Sequence, residues 1–225
     1  MKTIIITGAG SGLGKELAHL FSQKGYHLLL TGRTIEKLTT ARDEIIAHGG
    51  RAAILPLDIQ NADDVSKKVE EISHSYTICG LVNNAGVGHF GPFVEIDEQH
   101  MVEMINTNVL GTLLMTKAIL PHLLKIPDGR IMNIISTAGL RGKVNEAVYA
   151  ASKFAVRGFT ESLQKEYEDH SIKINAVYMG GMDTSFWAHS DHIKDLSRFR
   201  TPREVAEIIM EQIDQDSIII ESKKS

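Results

Sequence analysis

The sequence predicts an α/β protein: a doubly wound parallel sheet of about seven strands with helices on both faces. Three features carry that expectation. Short unbroken apolar runs recur along the chain, beginning with Ile4-Ile5-Ile6, and continuous runs mark strands buried on both faces, as parallel sheets require. Between them, apolar residues return every three or four positions, the period of a helix with one buried stripe. The two kinds of segment alternate from end to end, which favours βα units over separate helical and sheet regions.

The first strand breaks into Thr7-Gly8-Ala9-Gly10-Ser11-Gly12-Leu13-Gly14, after which Leu17, Ala18, Leu20 and Phe21 recur at helical spacing. Glycines at such a turn let the backbone bend sharply and bring helix N-terminal amides against a pyrophosphate. Gly8, Ser11, Gly12, Leu13 and Gly14 are therefore the expected phosphate-side contacts. Gly25 ends the helix and His27 to Thr31 is the second strand, leading to Gly32-Arg33. Many dinucleotide folds place a carboxylate there for the ribose 2′-hydroxyl. None stands here, and the Arg33 guanidinium could pair bidentately with a 2′-phosphate. This favours NADP(H) over NAD(H), unless Arg33 is spent on a surface acid such as Glu36.

A helix over Ile35 to His48 stops at Gly49-Gly50, and the third strand, Ala52 to Leu57, ends at Asp58-Ile59, where Asp58 could accept a hydrogen bond from an adenine amino group. Asn61 opens a helix with acids in its first turn. The fourth strand, Ile78 to Val82, runs into Asn83-Asn84-Ala85-Gly86, with Cys79 as a small core residue. After a loop over Gly88 to Pro92, a helical pattern extends from Glu98 to Leu124, with Pro121 marking a kink or break. Asn106 and Asn108 lie within it, where asparagine is a mediocre helix former. Arg130 to Ser136 is the fifth strand, and a helix from Asn145-Glu146 to about Asp169 follows. The sixth strand, Ile172 to Tyr178, leads through Met179-Gly180-Gly181-Met182-Asp183-Thr184 into a polar stretch, a short substrate lid over about 182–200. Thr201-Pro202 starts the last helix, and Ser217 to Ile220 is the seventh strand. No repeat or linker divides residues 1–225, which read as one domain.

Composition excludes several classes. The 225 residues carry 43% hydrophobic and 23% charged side chains, ordinary for a globular protein, with a formal net charge of −4 and no basic block to suggest nucleic acid. The single cysteine cannot form an internal disulfide, and no apolar run approaches transmembrane length. We expect a soluble cytoplasmic protein without membrane contact. Of ten histidines only His189 and His192 form a close pair. A metal site needs three or four ligands, so none is expected.

The chemistry concentrates between Ser136 and Lys153. Tyr149 and Lys153 are one helical turn apart on one face. A phenol with a pKa of about 10 is a poor acid or base near neutrality, and an ammonium held close favours its ionised form. Ser136 ends a buried strand, where parallel sheets present active groups. Tyr-x-x-x-Lys alone is a weak signal, and a solvated helix face is its bland alternative. Its place downstream of the glycine turn gives it weight.

In their order and spacing these motifs resemble the short-chain dehydrogenase/reductase family, over essentially the whole chain. Thr7-Gly8-x-x-x-Gly12-x-Gly14 is similar to the family's cofactor turn, Asn83-Asn84-Ala85-Gly86 to its sheet-stabilising segment, and Ser136 stands at the usual separation before Tyr149-x-x-x-Lys153. The resemblance implies a single Rossmann-fold domain and an NADP(H)-dependent carbonyl reductase or alcohol dehydrogenase. Tyr149 would be the general acid or base. Lys153 would bind the nicotinamide ribose and lower the tyrosine pKa, and Ser136 would orient the carbonyl. Asn108 would hold a water linking Lys153 to solvent. Asn84, Ala85, Gly86, Gly180 and Thr184 join the cofactor contacts on the same grounds. The family also implies homodimers or homotetramers built through the helices near 98–124 and 146–169. One departure is Met179-Gly180 where Pro-Gly is common, which leaves that turn less rigid. The short lid suggests an open or shallow pocket and a small or loosely selected substrate. Phe186 and Trp187 are expected to touch substrate, and His89 and Phe90 to line the pocket mouth. Met101, Met104 and Met115 are expected in the core. The rivals are an idle NADP(H)-binding sensor or scaffold, which has no need of all four catalytic groups, and an NAD-dependent dehydrogenase, which Arg33 disfavours.

Overall fold

Ile4 and Ile6 pack on one side of the first strand and Ile5 on the other, and all three are buried. The same alternation at Leu28, Leu29 and Leu30 in the second strand makes two cores, one on each face of a sheet. The computed structural model describes residues 1–187 and 197–223. Seven strands, β1 (Lys2–Thr7), β2 (His27–Gly32), β3 (Arg51–Pro56), β4 (Thr77–Asn83), β5 (Arg130–Ile134), β6 (Lys173–Met179) and β7 (Ser217–Ile220), form one sheet. Every pairing is parallel, in the order β3-β2-β1-β4-β5-β6-β7.

Helices α1 (Gly12–Gln23), α2 (Ile35–Ala47) and α7 (Pro202–Glu211) cover one face, burying Leu17, Phe21, Leu38, Ile45, Val205 and Ile209. On the other lie α3 (Ala62–Ser73), α5 (Gly111–Leu123) and α6 (Ala147–Glu166), with Val69, Met115, Ile119 and Leu163 in the core. Helix starts follow local chemistry. The Asn61 side chain caps α3 by accepting from the Asp64 amide, and Thr201 with Glu204 closes a capping box at α7. From β1 the chain winds outward to β3, then returns to β4 on the other side. The crevice beyond the carboxyl ends of β1 and β4 is thus the switch point where such sheets bind ligands.

Three expectations about the elements change. Strand β5 ends at Ile134, and although the Ile135 amide still donates to Val177 (2.7 Å), Ser136 has left the extended conformation. The helix after Tyr149 ends at Glu166, three residues early. Pro121 does not break its helix. It lies in the last turn of α5, so the one bond its missing amide removes is among the last of the helix, and the irregularity falls earlier. The helical run from α4 (Glu98–Met104) to α5 passes through a π-wound segment, Ile105–Leu110, in which the Gly111 amide reaches the Asn106 carbonyl. Such segments cluster at functional sites.

A buried polar chain ties the middle of the sheet to α5 and α6. Asn83 donates to Thr116 Oγ1 (3.0 Å) and to Asn133 Oδ1 (2.9 Å), and Asn133 donates to Thr160 Oγ1 (2.8 Å). Asn83 and Asn133 are direct partners across β4 and β5. In the glycine turn, Gly14 faces inward. A Cβ there would stand 2.5 Å from both the Asn84 amide nitrogen and the Gly8 carbonyl oxygen. The sequence grouped Gly14 with the cofactor contacts, but it does not line the cleft; its lack of a side chain lets turn and sheet close together.

Gly14→Ala should therefore destabilise the protein by about 1–3 kcal/mol through overpacking, lowering Tm by about 2–4 °C per kcal/mol. Gly142→Ala, with open space at its Cβ, should leave Tm within about 1 °C. Thermal melts of the two variants beside wild type check this.

Candidate active site

The site begins with a strained residue. Ser136 adopts φ 151° and ψ 155°, a region that only glycine occupies comfortably and that costs about 1–3 kcal/mol. The twist carries the chain from β5 into a 3-10 turn, Thr137–Gly139, held by the Ala138 amide donating to Ser136 Oγ (3.1 Å) and the Gly139 amide to the Ser136 carbonyl (2.9 Å). The serine hydroxyl is thereby brought to the first turn of α6, near enough to the Tyr149 phenol to favour its ionised form.

Tyr149 and Lys153 are 6% and 5% exposed. Lys153 Nζ donates to the Ile134 carbonyl (3.2 Å) and lies 5.6 Å from the centre of the Tyr149 ring. Burial lowers the lysine pKa from 10.5 to about 8. Burial also pushes the phenol well above its ordinary range, the neighbouring Ser136 hydroxyl opposes this, and the Glu146 carboxylate adds to it. The expectation that Lys153 holds the phenol low is thus not what the protein alone displays. The ammonium is turned to a backbone carbonyl, and desolvation of a phenolate outweighs its attraction.

Asn108 is tied to the segment that follows β4. Its Oδ1 accepts from the Val87 amide (2.8 Å), and its Nδ2 donates to the Val87 carbonyl (2.9 Å) and to Ser152 Oγ (3.0 Å). With Thr112 Oγ1 donating to its carbonyl (2.8 Å), the residue is wholly engaged within the protein and does not line the cleft. Its side chain grips the backbone at Val87, just after Gly86. Gly86 itself fits between the two groups: a Cβ there would be 3.2 Å from Asn108 Oδ1 and 3.6 Å from Lys153 Nζ.

The remaining predicted residues converge on one cleft of about 490 Å³, lined by Gly8, Ser11, Gly12, Leu13, Arg33, Asp58, Ile59, Asn84, Ala85, Gly86, Gly180 and Thr184 together with Ser136, Tyr149 and Lys153. Gly8 (φ +65°) and Gly12 (φ +53°) take the left-handed conformation that suits glycine, and Ser11 is the N-cap of α1. A Cβ on Gly12 would touch Thr184 at 3.5 Å, so the turn and the segment after β6 close on each other around a backbone cradle. The cradle fits a pyrophosphate, with α1 amides on one side and no acid in its first turn to repel charge. Arg33 is exposed at the cleft and, among the described residues, forms no ion pair with Glu36 or any other acid. Asp58 accepts from the Gln60 amide (3.0 Å).

Sequence reading missed several lining residues. Glu146, buried, stands one turn before Tyr149, and helical spacing could have found it. Its carboxylate is 3.9 Å from Lys143 Nζ. Arg141 pairs with Glu221 through two contacts (3.1 and 3.0 Å), and Phe199 and Ser222 complete the rim; only tertiary structure joins these to the site. His189 and His192, and the middle of the expected lid, lie outside the described residues. No helix of the described residues is long and apolar enough to cross a membrane.

A doubly wound sheet with a glycine cradle at its switch point and a buried Ser-Tyr-Lys group beside it defines a dinucleotide-fold oxidoreductase. The family model for short chain dehydrogenases matches residues 2–194, and the chain belongs to the short-chain dehydrogenase/reductase family. It is 32% identical over 218 residues to a 3-oxoacyl-(acyl-carrier-protein) reductase of Thermotoga maritima, covering 93% of this chain and 89% of the relative. The bovine 3-oxoacyl-(acyl-carrier-protein) reductase is 32% identical over 197 residues, 87% and 79% of the two chains. Among solved structures, an alcohol dehydrogenase of the archaeon Thermococcus sibiricus complexed with 5-hydroxy-NADP superposes with a TM-score of 0.87 at 26% identity, over 98% and 94% of the chains.

The buried lysine gives a signed pH prediction. Its folded pKa, about 8, lies below the ordinary 10.5, so the unfolded chain binds more protons between those values. The cost of burying the charge is full below about pH 8 and fades as the pH rises toward 10.5. Lys153→Met should thus raise stability at pH 7 by on the order of 1–3 kcal/mol, an advantage that shrinks to nothing by about pH 10.5. Tm measured from pH 7 to 10.5 reads it out.

Proposed function

We propose that the protein reduces a small carbonyl compound, or oxidises the matching secondary alcohol, with NADP(H) as the hydride partner. The observation that carries this reading is the buried Ser136–Tyr149–Lys153 group opening on the same cleft as the glycine cradle and Arg33. In the reductive direction Tyr149 donates its proton to the carbonyl oxygen, and Ser136 steadies the charge gathering there. The Lys153 ammonium stands behind the phenol, where it favours the tyrosinate left after proton transfer and would hold the ribose. A bound nicotinamide would supply the hydride; position and electrostatics are the protein's share. Asn108 fixes the Gly86-Val87 backbone that forms the floor between the two.

For the cofactor, an unpaired Arg33 and the absence of a carboxylate after β2 support the 2′-phosphate form. The archaeal alcohol dehydrogenase with its NADP derivative agrees with that choice. The 3-oxoacyl reductases among the relatives make 3-oxo compounds one natural set to screen. Exposed Val102, Ile105 and Leu110 on the long helical run and Phe154 on α6 support pairing through these helices into a homo-oligomer.

Three measurements test this reading. Calorimetric titration should give tight NADPH and weak NADH binding. Arg33→Ala should weaken NADPH by about 10–100-fold with little effect on NADH, and equal effects on both would defeat the cofactor assignment. Tyr149→Phe should keep NADPH affinity and lose about 10²–10⁴-fold in kcat. In sedimentation, the wild type should run as a dimer or larger and Phe154→Glu as the 24.8 kDa monomer. A monomeric wild type would remove the oligomer from the proposal.

A further inference from the structure

The substrate half of the cleft is walled by aromatic rings built around the acid–base tyrosine. Phe90 meets the Tyr149 ring edge-on at 5.3 Å, and Phe186 lies 6.0 Å from it. Trp187 stacks on Phe90 (5.0 Å, 26°), stands edge-on to Phe186 (5.1 Å, 84°) and reaches Phe199 at 5.7 Å. Phe186, Trp187 and Phe199 line the cleft, and Phe90 backs them. The Trp187 indole N–H donates to the Met182 carbonyl (3.0 Å), which satisfies the polar edge and fixes the ring.

The backbone makes room for this cluster. A Cβ on Gly88 would lie 2.5 Å from the Phe90 ring and 2.7 Å from that of Phe186; one on Gly181 would lie 2.3 Å from the Phe199 ring. The charged groups in the same half are set against one another, Arg141 with Glu221 and Lys143 with Glu146. An apolar wall therefore offers the principal recognition surface for a substrate.

Geometry narrows the class further. Phe90 and Phe186 meet the Tyr149 ring at ordinary aromatic spacing, so a carbonyl brought to this tyrosine has rings beside it. Rings pack on rings edge-to-face or offset at about 4.5–7 Å, and a rigid flat group loses little freedom on being held there. Resting on the carbonyl-reductase reading, we propose that the substrate bears a flat ring directly on the reacting carbon, an aryl or unsaturated cyclic ketone or its alcohol, lodged against Phe186 and Trp187. A flexible acyl chain uses this wall less well.

Initial rates with NADPH on acetophenone, 2-octanone and ethyl 3-oxobutanoate test the proposal, each with wild type, Trp187→Ala, Trp187→Phe and Phe186→Leu. Wild type should favour acetophenone over 2-octanone, its equal in carbon number, by about tenfold in kcat/KM. That ratio should fall to within about twofold in Trp187→Ala and Phe186→Leu and largely return in Trp187→Phe, which keeps a ring. A ratio near one in wild type, or one that survives in both ring-removing variants, overturns the ring proposal. Turnover of the 3-oxo ester alone overturns it too while leaving the reductase reading intact. NADPH binding with no turnover of any of the three overturns the reductase reading and this proposal together.

Discussion

The site hangs on a hydrogen-bonded pin between the tips of β1 and β4. The Thr7 hydroxyl donates to the Val82 carbonyl (3.3 Å) and accepts from the Asn84 and Ala85 amides (both 3.0 Å). Asn84 answers by donating its side-chain amide to the Thr7 and Gly8 carbonyls (2.9 and 3.2 Å). These bonds satisfy backbone groups that a parting of strands would leave bare, and leaving them bare inside the fold is costly. They also fix the glycine cradle, which follows β1, relative to the Gly86 floor, which follows β4. Cofactor side and catalytic side share one reference point.

Around that pin the protein accepts local instability. Ser136 is held in a conformation meant for glycine, Lys153 is a buried amine, and the phenol of Tyr149 is desolvated beside a buried carboxylate. None of these stabilises the fold. Together they gather a hydroxyl, a phenol and an amine in one cleft of low dielectric, where electrostatic effects are strong. The two large cores on either face of the sheet, with Ile5, Ile6, Leu28 and Leu29 almost wholly buried, supply the stability that permits this.

Much of this was legible in the sequence because it is written locally. A strand buried on both faces must be apolar at every position, so Ile4-Ile5-Ile6 announces itself, and a left-handed turn needs glycine, so Gly8 and Gly12 do too. Tyr149 and Lys153 share a helix face by spacing alone. What could not be read depends on contacts between distant segments. Asn108 looks like any mid-helix asparagine until Val87 is brought to it, and Gly14 looks like Gly12 until Asn84 closes over it. The order of the two pKa influences on Tyr149 follows from depth of burial, which no spacing reveals. The ring wall joins Phe90 to Phe186, Trp187 and Phe199, segments far apart along the chain.

The π-wound stretch at Ile105–Leu110 has a bearing on how the long helix serves two masters. Each residue of an α-helix turns the next by about 100°, so one extra residue in a turn offsets everything beyond it by that angle. Met104, before the stretch, packs with Ala138 and Tyr149 at the cleft, whereas Met115, after it, packs under the sheet with Ile119. The stretch acts as a phase shifter between two apolar stripes that a regular helix would force into a single alignment. Each half can follow its own neighbours, so a core substitution near Met115 need not swing the residues that frame the tyrosine.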